Sequence, residues 1–186
     1  MSSWADEISL NTETPVKGAI GPISSTKQVE VIGQHLEDAK KNNAKFLTGG
    51  MIEQHGGSWL RPTVVTNVDH SMLLMQKETF AAIIPIMIFK ETSEAVYLAN
   101  DSEYGLSAAV FGELDKSESV GLNLDAGGIY CNDVDLIGSA HETAEKMSFK
   151  NSGLGGSRYG PEGLTRFTRK QTVVFQHGNG VTIDDL

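Results

Sequence analysis

The run Ile83-Ile84-Pro85-Ile86-Met87-Ile88-Phe89 decides the fold class of this sequence. It is apolar throughout and rich in isoleucine, the pattern of a strand buried on both faces in a parallel sheet. A strand-helix rhythm continues after it. Glu91 to Asn100 reads as a helix with Ala95, Val96 and Ala99 inward. Leu106 to Phe111 is the next strand, Asp115 and Glu118 cap a helix running to about Leu124, and Gly127-Gly128 leads into a strand at Ile129 to Asn132. Such alternation implies crossover units. The expected fold is α/β, a three-layer αβα arrangement with a mostly parallel sheet.

Upstream, a helix is expected from Ser25 to Asn43. Ser25 and Gln28 form a capping box, and Val29, Ile32, Leu36 and Ala39 form one apolar stripe. A short strand at Lys45 to Leu47 precedes Gly49-Gly50. Gly56-Gly57 marks a turn, and Arg61-Pro62 starts a strand near Thr63 to Val68. Residues 1–20 are polar and weakly patterned, an extended lead-in. Between Asp133 and Gly160 the glycine-punctuated chain reads mostly as loop, followed by a short helix after Pro161 and a final strand at Thr172 to Phe175. One domain over 1–186 is expected, with 1–20 as lead-in, 21–170 as α/β core and 171–186 as strand and tail.

Composition narrows the partners. Fifteen Lys and Arg stand against 24 Asp and Glu, for a net charge of −9. An acidic surface argues against nucleic acid and anionic membrane as main partners. The longest apolar run, Ala81 to Phe89, is far short of the roughly 20 residues of a membrane span. The first residues lack a basic region leading into an apolar stretch, so no signal peptide is read there. A single cysteine, Cys131, excludes an internal disulfide and suits a reducing compartment. A cytoplasmic location is expected.

Few residues offer chemistry. In Lys77-Glu78-Thr79-Phe80, a carboxylate suited to a vicinal diol stands beside a ring suited to a flat heterocycle; the alternative is a solvated glutamate next to a core phenylalanine. Asn100 to Leu106 reads as a helix end and turn. The loop Lys150 to Gly160 is rich in glycine but fits neither the dinucleotide nor the P-loop spacing. Cys131, inside an expected buried strand with no cation beside it, reads as an inert core thiol. His35, His55, His70, His141 and His177 are scattered and make no metal-ligand spacing. His141 and Glu142 lie in the long loop, as polar lining or as a solvated tip.

The order of several passages resembles the aldehyde dehydrogenase superfamily. These are Gly21-Pro22-Ile23-Ser24, then Ala44-Lys45-Phe46-Leu47-Thr48-Gly49-Gly50, Arg61-Pro62-Thr63-Val64-Val65, and Lys77-Glu78-Thr79-Phe80 with Pro85 further on. They continue with Asn100 to Phe111, Ala126 to Asn132, and Lys150-Asn151-Ser152-Gly153-Leu154-Gly155 followed by Gly160-Pro161-Glu162-Gly163-Leu164. The resemblance covers about residues 18 to 176.

It implies an NAD(P)-dependent oxidation of an aldehyde to an acid. A cysteine thiolate attacks the carbonyl, amide donors hold the oxyanion, and a glutamate activates water. It also implies that Glu78 hydrogen-bonds the nicotinamide ribose of NAD or NADP, that Phe80 packs near the nicotinamide ring, and that Asn132 and the loop after it, with His141, face the aldehyde pocket. The family's nucleophile, general base, oxyanion asparagine and nucleotide-binding domain have no counterpart in these 186 residues, so no catalytic residue is assigned. Cys131 aligns with a strand valine. Two departures stand out: Ala81-Ala82 replaces the family's Gly-Pro, and Glu145-Lys146-Met147-Ser148 replaces its PFGG passage. Expected partners are an aldehyde substrate, further copies of the chain, or a missing N-terminal half. Three readings stay open: a fragment of an aldehyde dehydrogenase, one half of a split enzyme, or a non-catalytic scaffold that kept the fold.

Overall fold

The computed structural model describes residues 2–13, 19–134, 144–145, 147–156, 159–175 and 177–178. The chain divides into two compact units, Met1–Glu103 and Tyr104–Leu186.

The first unit is organised by one helix. It contains α1 (Ser2–Glu7), α2 (Thr26–Lys41), β1 (Lys45–Phe46), β2 (Ile52–Gln54), β3 (Ser58–Leu60), β4 (Thr63–Thr66), α3 (Leu73–Gln76), β5 (Ile83–Pro85) and α4 (Thr92–Asn100). Ser25 caps α2, its hydroxyl accepting from the Gln28 amide at 3.1 Å. The expected stripe faces inward: Ile32, Leu36 and Ala39 are buried and Val29 is half-buried. Ile32 and Leu36 pack with Leu60, while Ala39 packs with Val65, Val68, Met72 and Leu74. Each fully buried side chain of this size contributes about 1.5–3 kcal/mol. Asp38, at the edge of the stripe, accepts the Leu73 amide at 2.8 Å and so satisfies a free donor at the start of α3.

The sheet order is β1-β4-β5, with β1 and β4 antiparallel and β4 and β5 parallel. Gly56-Gly57 turns a hairpin of β2 and β3. Gly49 (φ 59) carries the chain where a Cβ would stand 2.3 Å from Thr63 Oγ1; that hydroxyl accepts the Gly50 amide at 3.0 Å.

Three expectations for this unit are corrected. Residues 2–7 form α1, with Ala5 buried, because even a polar segment folds where one small residue finds a pocket. The 83–89 run is not buried on both faces: β5 stops at Pro85, Ile84 is 44% exposed and Ile88 89% exposed. A strand is buried by what covers it, and no described residue of this unit covers that face. For the same reason α4 buries no residue; Ala95 and Val96 are half-buried and Ala99 is exposed.

The second unit contains β6 (Tyr104–Gly105), β7 (Ser107–Val110), α5 (Leu114–Gly121), β8 (Gly128–Cys131), β9 (Phe149–Lys150) and a 3-10 helix, Pro161–Phe167. β7 and β8 pair in parallel across α5, as the crossover pattern requires. Gly121 lets α5 lie close on β8, since a Cβ there would meet Ile129 Cγ2 at 2.7 Å. Asp115 sits in the first turn of α5 and Glu113 at its cap, so the expected capping by Asp115 is two residues out of place. The presumed loop after Asp133 contains β9, antiparallel to β6. Thr172 to Phe175 forms no strand and is exposed; it finds no ladder partner among the described residues. Cys131 ends β8 half-buried and not in a sealed core, because α5 covers it only from the Gly121 side.

Candidate functional site

The Glu78–Phe80 segment connects α3 to β5. Glu78 is exposed and makes no ion pair with any described lysine or arginine. Its neighbour Lys77 instead reaches Glu103 at 2.6 Å. Phe80 is 80% exposed, with φ at 50, a left-handed conformation uncommon for an aromatic residue. It borders a cleft of about 380 Å³ that Gln28, Ile32, Leu60 and Ala81 also line. Glu78 is not among the residues lining that cleft. Beyond Phe80 the chain is fixed: the Ile83 amide donates to Ala81 O, and the Thr63 amide to Ala82 O, both at 2.8 Å.

Helix α2 holds the segment from below. Gln28 does not return its side chain to Ser25 to complete the capping box; Nε2 donates to the carbonyl of Thr79. About two turns further on, His35 Nδ1 lies 2.9 Å from Thr79 Oγ1. Burial pushes the His35 imidazole below its ordinary range, partly opposed by the Asp38 charge, so a neutral ring meets the hydroxyl. The sequence reading gave Gln28 to the capping box and His35 no role, and joined neither to Thr79. The legible signal was His35 itself, a polar ring between Ile32 and Leu36 on an apolar stripe, which has to find a partner when buried.

Asn132 is placed by the end of the β7–β8 pair. It has φ 60, its amide donates to Val110 O at 2.8 Å, and its Oδ1 accepts the Gly112 amide at 2.8 Å. One face of its carboxamide is thus occupied in closing a turn. His141 lies outside the described residues. Two of the resembling passages prove to be neighbours: β6 pairs with β9, and the Gly105 amide donates to Ser152 Oγ at 2.9 Å. Those residues build structure.

The other histidines have local partners. His55 and Arg61 share Glu53, at 3.0 and 2.6 Å, and the His55 hydrogen bond, more than the Arg61 contact, holds the Glu53 carboxyl below its usual range. His70 Nε2 contacts Asp101 at 2.8 Å. Among the described residues no cluster of His, Cys, Asp or Glu could hold a metal, and no helix is long and apolar enough to cross a membrane.

The residues present fit one end of a dinucleotide. An exposed carboxylate with no cationic partner among the described residues and an exposed ring beside a cleft match a ribose diol and a flat heterocycle.

A family model, that of the aldehyde dehydrogenase family, matches residues 5–173, and the chain belongs to that family. It is 33% identical over 165 residues to retinaldehyde dehydrogenase 3 of Homo sapiens, covering 88% of this chain and 31% of that protein. It is 36% identical over 153 residues to 4,4'-diapolycopene aldehyde oxidase of Methylomonas sp, covering 81% of this chain and 28% of the relative. The chain therefore spans under a third of the length of these relatives. Among solved structures, the PutA protein of Anabaena variabilis superposes with a TM-score of 0.87 at 46% identity, over 97% of this chain and 39% of that one. Betaine aldehyde dehydrogenase of Staphylococcus aureus, solved with NAD+, gives a TM-score of 0.75 at 30% identity, over 89% of this chain and 33% of that one. The α/β fold expected from the sequence is the fold of these enzymes, in part.

Proposed function

We propose that this chain serves NAD(P)-dependent oxidation of an aldehyde to a carboxylic acid, as the ribose-holding part of the catalytic body and not as the bearer of the nucleophile. The observation that carries the reading is the pairing of an exposed Glu78, which makes no ion pair with any described lysine or arginine, with the outward ring of Phe80. Bound NAD(P)+ would accept hydride from the aldehyde carbon. Glu78 would accept hydrogen bonds from the ribose diol, and Phe80 would exclude water from one face of the ring. Asn132 and His141 would face the aldehyde, with Asn132 limited to whatever its carboxamide offers beyond the bond to Gly112.

Alone, the chain is expected to be inactive. The reaction needs a thiolate within about 3–3.5 Å of the carbonyl. Cys131 is the sole thiol, and it stands at the end of β8 beside α5. A single charged hydrogen bond at Glu78 contributes about 1.5–3 kcal/mol, against about 8 kcal/mol for micromolar affinity. Exposure of Ile88, Phe89 and Val174 favours a chain that works joined to, or assembled with, further polypeptide over a self-standing scaffold. That polypeptide would be an N-terminal half or further copies in an oligomer, in the cytoplasm. The test is NAD(P)H formation with a panel of aldehydes by the purified chain and by its Cys131→Ala variant. No turnover is expected from either. Turnover that the variant loses would make Cys131 a nucleophile and overturn the assignment.

A further inference from the structure

We infer that His35 is a positioning residue that sets the direction of Glu78 and Phe80 by way of Thr79. The inference rests on the reading in which those two residues meet a nicotinamide cofactor.

His35 occupies a core position of α2, 5% exposed, where an aliphatic side chain would pack without any polar requirement. A polar ring at such a site destabilises unless it is hydrogen-bonded. Its partner is the Thr79 hydroxyl at 2.9 Å, 44 residues further along the chain. The next residue, Phe80, has φ at 50. A non-glycine residue in that region persists only where its neighbours fix it. The fixing is visible on both sides. Before Phe80, Thr79 is held twice from α2, by Gln28 on its carbonyl and by His35 on its hydroxyl. After it, Ala81 and Ala82 are held by the Ile83 and Thr63 amides.

Phe80 is therefore a strained link between two anchors, and its ring points outward because neither anchor can rotate. Removing the hydroxyl bond leaves Thr79 with one anchor, about which the peptide can turn. Phe80 then relaxes to negative φ, and the Phe80 ring and Glu78 carboxylate swing with it. His35 makes no hydrogen bond to Glu78 and no ring contact with Phe80; it acts through Thr79.

The experiment is solution NMR on the whole chain. The intraresidue amide–Hα cross-peak of Phe80 is strong only at positive φ. It is expected in the wild type and in Thr79→Ser, which keeps the hydroxyl. It is expected to be lost in Thr79→Val, which keeps the shape, and in His35→Leu, which keeps the core filled. If His35→Leu fails to fold, Thr79→Val alone decides, since it leaves the core unchanged. A strong Phe80 cross-peak in Thr79→Val overturns the inference. A second arm titrates millimolar NAD+ into the wild type and Glu78→Gln, following the amides of residues 78–80. Shifts in the wild type that Glu78→Gln and Thr79→Val lose and Thr79→Ser retains support both readings. The Phe80 cross-peak decides whether His35 sets the segment whether or not NAD+ shifts these amides, since one contact at Glu78 supports only weak binding by this chain.

Discussion

In Met1–Glu103 the large apolar side chains gather beneath α2: Ile32, Leu36, Leu60, Val64, Val65 and Met72 are all buried. In Tyr104–Leu186, Tyr130 is the only buried hydrophobic among the described residues, while Leu106, Phe111, Leu122 and Phe167 are exposed. Both units carry family passages, yet only one has a core of its own. Motif density and burial are thus separate properties. A motif can be kept for a turn or a strand register, as with Gly105 and Ser152, without any interior behind it.

The largest expected difference comes from cutting into each unit. Ile32→Ala is expected to destabilise Met1–Glu103 by about 2–5 kcal/mol, the range for a deleted core aliphatic. Leu122→Ala, at a side chain 82% exposed, is expected to stay within about 0.5 kcal/mol. Urea midpoints for the two variants check this, and equal losses would break the contrast. A smaller effect sharpens it from the other side. Gly121→Ala would place a methyl 2.7 Å from Ile129 Cγ2 and is expected to destabilise by about 1–3 kcal/mol, showing where the thinner unit is nonetheless tightly packed. Hydrogen exchange at the β8 amides reads it; unchanged protection would mean that α5 yields freely.

Back in the first unit, Asp38→Ala removes the acceptor for the Leu73 amide and is expected to cost about 0.5–2 kcal/mol, the range for a lost helix cap. Amide exchange at Leu73 should accelerate while the β7 and β8 amides hold. The smallest effect is one of pH. Folded His35 resists protonation, whereas the unfolded ring takes a proton near 6.5. Stability contributed by the neutral ring is complete above 6.5, declines as pH falls below it, and levels off under the folded value. The difference in urea midpoint between wild type and His35→Gln, followed from pH 7.5 to 5.5, should shrink with acid; a constant difference would remove His35 as the cause.

The fold was legible where local chemistry and periodicity coincide. Ser25 capped the helix as read, the Ile32-Leu36-Ala39 stripe faced inward, and the crossover from Ser107–Val110 to Gly128–Cys131 ran parallel. It was illegible where burial depends on a second surface. Nothing in Ile84 or Ile88 distinguishes a strand covered on both faces from one covered on one, because hydrophobicity records a capacity for burial and not the neighbour that meets it. At the candidate site the residues' own chemistry left two readings open for Glu78 and Phe80, and the cofactor role is what the family resemblance implied; the outward ring of Phe80 removes only the core-phenylalanine alternative. The machinery behind them was not legible. Gln28 and His35 lie 51 and 44 residues from Thr79, and no local pattern joins them.

One consequence remains in Cys131. The sequence has no other thiol, and this one sits half-buried where Gly121 brings α5 against β8. Any thiol-directed reagent therefore modifies the chain at a single address. Its rate reports how open that half-buried thiol is to solvent at the edge of the β7–β8 pair. The chain thus carries one built-in reporter on its less-filled unit, readable by mass spectrometry without introducing a label site.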